Sequence, residues 1–132
     1  MLRLSHGNDM KAYWTESSHR TVSSAAELAA VIAEVHALEA PTMLFLEQDS
    51  GSTLVLGLGA PESVLTFVHE DGSSYHSCGD AQRRDMLKFW CREQLDDFGA
   101  EMAIAESVAI AAAHEFYAKG TQPSNLEWEA DW

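Results

Sequence analysis

Imidazole and thiol groups fall closest together at His69, His76 and Cys78, which a hairpin through Asp71-Gly72 could turn toward one another. Imidazole nitrogen and thiolate sulfur are zinc donors, but no fourth ligand is in view, so the expectation is solvent or core histidines and no metal. His114-Glu115 lacks the second histidine of a zinc-protease helix. Cys91 stands between Trp90 and Arg92 in an alternating run, which sends Arg92 to the opposite face and leaves the thiol without an activating base. A buried structural thiol is expected there. Gly57-Leu58-Gly59-Ala60-Pro61-Glu62 begins like a dinucleotide loop, yet the third glycine is missing and a strand follows instead of a helix. Its glycines are read as strand-end and turn residues. The serines form no Gly-x-Ser-x-Gly elbow. The carboxylate pairs Glu70-Asp71 and Asp96-Asp97 fall in predicted turns, where solvation denies them the shifted pKa that general acid work needs. No catalytic residue, metal ligand or cofactor is therefore assigned.

The elements that must position these residues follow from periodicity. Ala12–Glu16 reads as a short strand. Ser24 and Glu27 have capping-box spacing, and behind them Leu28, Val31, Ile32, Val35 and Leu38 recur as on one helical face, ending before Pro41. Strands are predicted at Thr42–Gln48, Thr53–Leu58, Ser63–His69 and Ser74–Cys78. The third has Val64, Thr66 and Val68 on one face and Leu65 and Phe67 on the other. Residues 79–85 are polar and read as a loop. Leu87–Glu93 alternates again, with Leu87, Phe89 and Cys91 opposite Lys88, Trp90 and Arg92; a turn at Asp96-Asp97 and a short strand at Ala100–Ile104 follow. A second helix is predicted from Glu106 to Lys119, with Val108, Ala112 and Phe116 at four-residue spacing and Gly120 as its C-cap. Leu126-Glu127-Trp128 alternates as a last strand. Trp14, Trp90 and Trp128 are expected in the core or on a sheet face, and Trp132 at a frayed end. An exposed tryptophan beside carboxylates would instead mark a binding hot spot. The fold class is α+β: an antiparallel meander with about two helices packed on it, in the order strand, helix, strands, helix, strand, as one domain over 1–132.

The 132 residues carry 8 basic and 21 acidic side chains, a net charge of −13, which disfavours nucleic acid and anionic membrane surfaces as partners and favours a basic one. No run approaches the apolar length of a membrane span, and Met1–His6 contains no signal-peptide core. Two cysteines are too few for a disulfide framework, so a cytoplasmic protein with free thiols is expected.

The C-terminal third is the distinctive part. A helix ends Ala112-Ala113-His114-Glu115-Phe116-Tyr117-Ala118-Lys119-Gly120, followed by Thr121-Gln122-Pro123 and then Leu126-Glu127-Trp128. This resembles the closing signature of the first numbered family of bacterial polymorphic-toxin immunity proteins. There an alanine-containing helix, an aromatic pair, a glycine-like stop, a proline and a tryptophan on a last strand recur in that order. The early helix, the strand end Leu56–Gly59, Tyr75 and Ser77-Cys78-Gly79 agree in order, so the likeness spans about 20–130. Gln122 departs from it, standing where members often carry a basic residue. The motif residues Phe116, Tyr117, Gly120, Pro123 and Trp128 have a structural explanation, as anchors of the helix, turn and last strand.

The resemblance implies a cytoplasmic antitoxin that binds and blocks a cognate toxin domain, several members resembling partners of deaminase toxins. A nucleic-acid-directed toxin needs a basic substrate groove, which an acidic protein can occupy. A monomer in a one-to-one complex is expected. The carboxylates selected for toxin contact are Glu47 and Asp49 at a strand end, Glu70 and Asp71 at the hairpin tip, and Asp96 and Asp97. The alternative is a small acidic secretion or folding chaperone, which would leave its client active.

Overall fold

Residues 9–131 are described by a computed structural model; the segment Met1–His6 and Trp132, on which two expectations fell, lie outside the described residues. The strands are β1 (Met10–Tyr13), β2 (His19–Val22), β3 (Thr42–Gln48), β4 (Thr53–Leu58), β5 (Glu62–Ser63), β6 (Leu65–Val68), β7 (Ser74–Ser77), β8 (Met86–Cys91), β9 (Gln94–Gly99), β10 (Ile104–Ala105) and β11 (Trp128–Ala130). The helices are α1 (Ala25–His36) and α2 (Glu106–Lys119). The protein is α+β, with a mostly antiparallel sheet and two helices. Its main path runs β11-β7-β6-β4-β3-β1-β2, and β8 and β9 branch from β3. Among the described residues no helix is long and apolar enough to cross a membrane.

The two-residue period of the strands divides the sheet. Met10, Ala12, Leu44, Leu46, Leu54, Leu56, Leu58, Leu65 and Phe67 point to one face and close over Leu28, Val31, Ile32 and Val35 of α1 and Ala109, Ala112, Ala113 and Phe116 of α2. The alanines let α2 lie close to the strands. Glu106, at the start of α2, accepts hydrogen bonds from the Gly59 backbone N–H (2.8 Å) and pairs with His36 Nδ1 (2.8 Å), tying both helices to the turn after β4. Gly120 caps α2 in the left-handed conformation (φ +73°) and donates its N–H to the Phe116 carbonyl.

The opposite face carries a second cluster at one end. Met43, Val64 and Phe89 are buried there, with Phe45, Val55, Leu87, Cys91, Phe98 and Met102 around them. The β8–β9 hairpin makes this possible. Thr42 pairs with Leu58 on one side and Trp90 on the other, so β8 takes the edge of β3 that β1 leaves open beyond Phe45.

Several expectations are corrected. Asp96-Asp97 is not a turn: both residues are in β9, and the turn is Arg92-Glu93. An alternating, half-buried β8 needs a partner, and the register Lys88↔Asp97 places opposite charges across from each other, at 2.6 Å. Ala100–Ile104 is not a strand. Ala100–Met102 forms a 3₁₀ turn because Ser77 Oγ donates to the Met102 carbonyl and Gly79 N–H to that of Glu101, leaving only Ile104-Ala105 to pair with β5. Ser63–His69 is broken at Val64, which turns into the second cluster while Leu65 and Phe67 face the helices. The first strand lies earlier, at Met10–Tyr13, and β2 adds an edge strand before α1, so two strands precede the first helix. Helix α1 stops at His36, leaving Leu38 41% exposed and off the buried stripe. Ser24 Oγ accepts from Glu27 N–H as a cap should, but Glu27 returns to the N–H of Ser23 instead of Ser24. Gly57 lies at the end of β4, where it is also the seat of the Phe89 ring, and Gly59 (φ +96°) is a turn residue, as read from the sequence.

Candidate functional site

The alternation of β8 sends Leu87, Phe89 and Cys91 inward and leaves Met86, Lys88 and Trp90 outward. Register pairs Trp90 with Leu95 and Lys88 with Asp97 across the hairpin. Trp90 is 39% exposed, Leu95 46% and Met86 54%. Among the described residues these are three of four exposed large hydrophobics, and they share one hairpin face. A tryptophan and a leucine flanked by a lysine–aspartate pair, on a chain otherwise rich in surface charge, form an apolar centre with a polar rim. That is the composition of a protein-binding hot spot.

The six selected carboxylates are not gathered on one surface. Asp97 is exposed on this hairpin face and tied to Lys88. Asp96 turns inward beside Phe89 and Cys91, and accepts from Gln94 Nε2 (2.8 Å). Asp49 lies in the β3–β4 turn, and Glu70 and Asp71 in the β6–β7 turn, where Glu70 lies against Gly51. These two turns form an acidic end of the sheet, about 20 Å along β3 from Trp90. Asp71 Oδ1 accepts from both the N–H and the hydroxyl of Ser73, bonds that lower its pKa and make it a turn-former. Glu47 is half-buried on the open sheet face, across from Lys11.

The chemistry-bearing trio is separated. His69 packs edge-on to Phe67 and Tyr75 and meets Gln122 (3.2 Å), whereas His76 sits across from Thr66 on the other face between Asp131 and Glu129. Cys78 bonds through its backbone to Glu127. Among the described residues no group of three or more His, Cys, Asp or Glu is arranged to hold a metal.

At the C-terminus, Phe116 packs edge-on to Phe67 (5.7 Å), and Trp128 lies against the same ring (6.2 Å). Trp128 Nε1 donates to the carbonyl of buried Pro123 (2.8 Å). Gln48 Nε2 donates to the Phe116 carbonyl, and Tyr117 is buried in the main core.

The family model for Immunity protein Imm1 matches residues 16–130. The chain belongs to the Imm1 immunity-protein family. The match runs from the β1–β2 connection through β11 and so contains both helices and the whole β8–β9 hairpin. No curated protein matches the chain. Membership makes this an immunity protein, whose partner is a cognate toxin protein. For an Imm1 chain the exposed hairpin face is therefore the surface to weigh first, ahead of any reactive side chain. Leu95 and Met86 escaped sequence reasoning; the placement of Trp90 on the polar side of an alternating run was the one signal that pointed there.

The surroundings of both thiols in this Imm1 chain disfavour the thiolate form. Burial pushes the Cys91 thiol up to about 12, and the hydrogen bond to Asp96 and its charge add to the shift. Burial likewise raises Cys78, helped by Glu129 and Glu127. Only thiolate reacts, so at pH 8 Cys91 should alkylate with iodoacetamide at least about 100-fold more slowly than free cysteine. A mass-spectrometric time course checks this; rapid labelling of Cys91 would reopen it as a nucleophile.

Proposed function

We propose that this immunity protein neutralises its toxin by stoichiometric binding and not by catalysis, as one cytoplasmic domain, with the outer face of the β8–β9 hairpin at the centre of the contact. The observation that carries this reading is the exposed Trp90–Leu95 pair with Met86 beside it. A standard interface buries about 1,600 Å² with a desolvated aromatic or aliphatic centre. Asp97 lies at the rim of that centre, and Asp49, Glu70 and Asp71 contribute to the field that speeds encounter with a basic partner. The toxin class is a nucleic-acid-directed enzyme, a deaminase by family resemblance, and the inhibitor blocks its basic substrate groove. The net charge of −13 supports that choice.

The test is co-purification from the producing cell at moderate salt, with the partner identified by mass spectrometry. The expected result is a one-to-one complex with a toxin domain whose activity falls to baseline at one equivalent. Recovery of an exported protein that remains active when bound would replace this reading with the chaperone one.

A further inference from the structure

A cleft of about 500 Å³ opens beside the hairpin turn. We propose that it is an acceptor site for a carboxylate-bearing side chain of the toxin, an inference that rests on the immunity reading above. The floor is the open face of β1 and the edge strand β2. Tyr13 pairs with His19 and Lys11 with Thr21, so all four share the face opposite the helices. Tyr13 stacks flat on Phe45 (ring centroids 5.1 Å apart, planes 6° apart), which fixes the floor. Thr15 and Glu16 border the cleft from the β1–β2 loop, and Arg92 from the hairpin turn, its guanidinium 5.6 Å above the Tyr13 ring.

The charges there are out of keeping with the chain. With 21 carboxylates for 8 cations, every lysine and arginine has acids to choose from. Arg20 is held by Glu34, Arg83 by Glu62 and Asp85, Lys88 by Asp97, and Lys119 approaches Glu115. Among the described residues Lys11, Arg84 and Arg92 make no ion pair, and two of these three line this one cleft. Glu47 is the register partner of Lys11 on β3, and Glu93 accepts from the Glu16 N–H, yet neither forms an ion pair with Lys11 or Arg92. The ammonium of Lys11, the guanidinium of Arg92, the Tyr13 phenol and the hydroxyls of Thr15 and Thr21 line the cleft as donors to a carboxylate, with Arg20 held by Glu34 and Glu16 the one acid in the lining.

Backbone geometry points the same way. Arg92 has φ of +60°, the one non-glycine residue beyond 0° among those described. Glycine or asparagine suits that position better, so its side chain is held against a conformational cost. A protein carboxylate fits better than a polyanion: a chain of net charge −13 repels nucleic acid as a whole, while a single acid on a basic toxin meets no such barrier. Arg92 follows Trp90 by two residues, so the cleft borders the turn of the same hairpin.

The test uses the toxin domain that the wild-type chain captures. Arg92→Gly relaxes the turn and removes the guanidinium, so its thermal midpoint should stay level or rise while toxin affinity falls about ten-fold. Lys11→Ala combined with Arg92→Gly should lower affinity further. A charge-swap scan on the toxin should find one Asp or Glu whose change to Lys restores binding to a Lys11→Glu/Arg92→Glu variant. Wild-type capture with the double variant within two-fold of it overturns the cleft and leaves the immunity reading standing. Failure of the wild type to capture any toxin overturns both.

Discussion

Trp90→Ala should weaken toxin binding by about 100-fold while leaving the thermal midpoint within ~2 °C of wild type. The two halves of that expectation have different physical origins. The Trp90 side chain lies on the outer face of the hairpin, and its attachment to the sheet is through backbone: its N–H donates to the Pro41 carbonyl (2.9 Å), and it bridges to Thr42. Alanine keeps both. The core beneath is held by Phe89, Leu87 and Phe98, on the other face of the same strands. Little folding energy is therefore lost. Binding is another matter. An aromatic anchor at the centre of an interface contributes at least about 2 kcal/mol, and about 2.8 kcal/mol corresponds to 100-fold. Leu95→Ala should follow with a smaller loss, whereas Asp97→Lys should act chiefly on the association rate and its salt dependence, because Asp97 sits at the rim. Titration calorimetry for affinity and stopped flow for rate separate these. Wild-type affinity in both Trp90→Ala and Leu95→Ala would remove the hairpin face from the interface.

The parts of this protein that were legible in its sequence are those whose period is imposed by a buried face. Strands β3 and β4 are central and nearly continuous in apolar residues, and helix α2 has both an alanine-rich face and a glycine stop; all three were bounded correctly. Strand β2 was invisible because three of its four residues are exposed at a sheet edge, where no alternation is required. Strand β9 was hidden by its own charges. Asp96-Asp97 looks like a turn until Lys88 is placed opposite Asp97 and Cys91 beside Asp96, contacts that exist only after the hairpin closes. Trp90 was half legible: alternation put it opposite Phe89, but only the register with Leu95 turns one exposed ring into a patch. The cleft was not legible at all. Its floor and its wall come from Tyr13 and Arg92, and nothing local in either segment announces the other.

Gly57→Ala should destabilise the fold by about 2–3 kcal/mol, lower the thermal midpoint by about 10 °C, and weaken toxin binding as well. The cause is space and not backbone conformation. A β-carbon at Gly57 would stand 2.4 Å from Phe89 Cε2 and within 2.8 Å of two further ring atoms. Phe89 has nowhere to go, being packed with Met43 and Val64 and held edge-on to Phe98 at 6.0 Å. Strand β4 cannot yield easily either, since it is hydrogen-bonded to β3 on one side and β6 on the other. The hairpin is the weaker party, joined to β3 through a single bridge at Thr42 and Trp90. It should lift, taking Trp90 and Arg92 with it, which is how a substitution in the core would reach the proposed binding surface. A double-mutant cycle isolates the collision. Phe89→Ala alone should cost about 3–5 kcal/mol, because it empties the second cluster. In that background Gly57→Ala has no ring to strike and should cost almost nothing, giving a coupling of about 2 kcal/mol in urea unfolding. Additive losses would mean that the glycine matters for some other reason. Coupled losses would show that a residue resembling part of a nucleotide loop is instead the seat on which the β8–β9 hairpin rests.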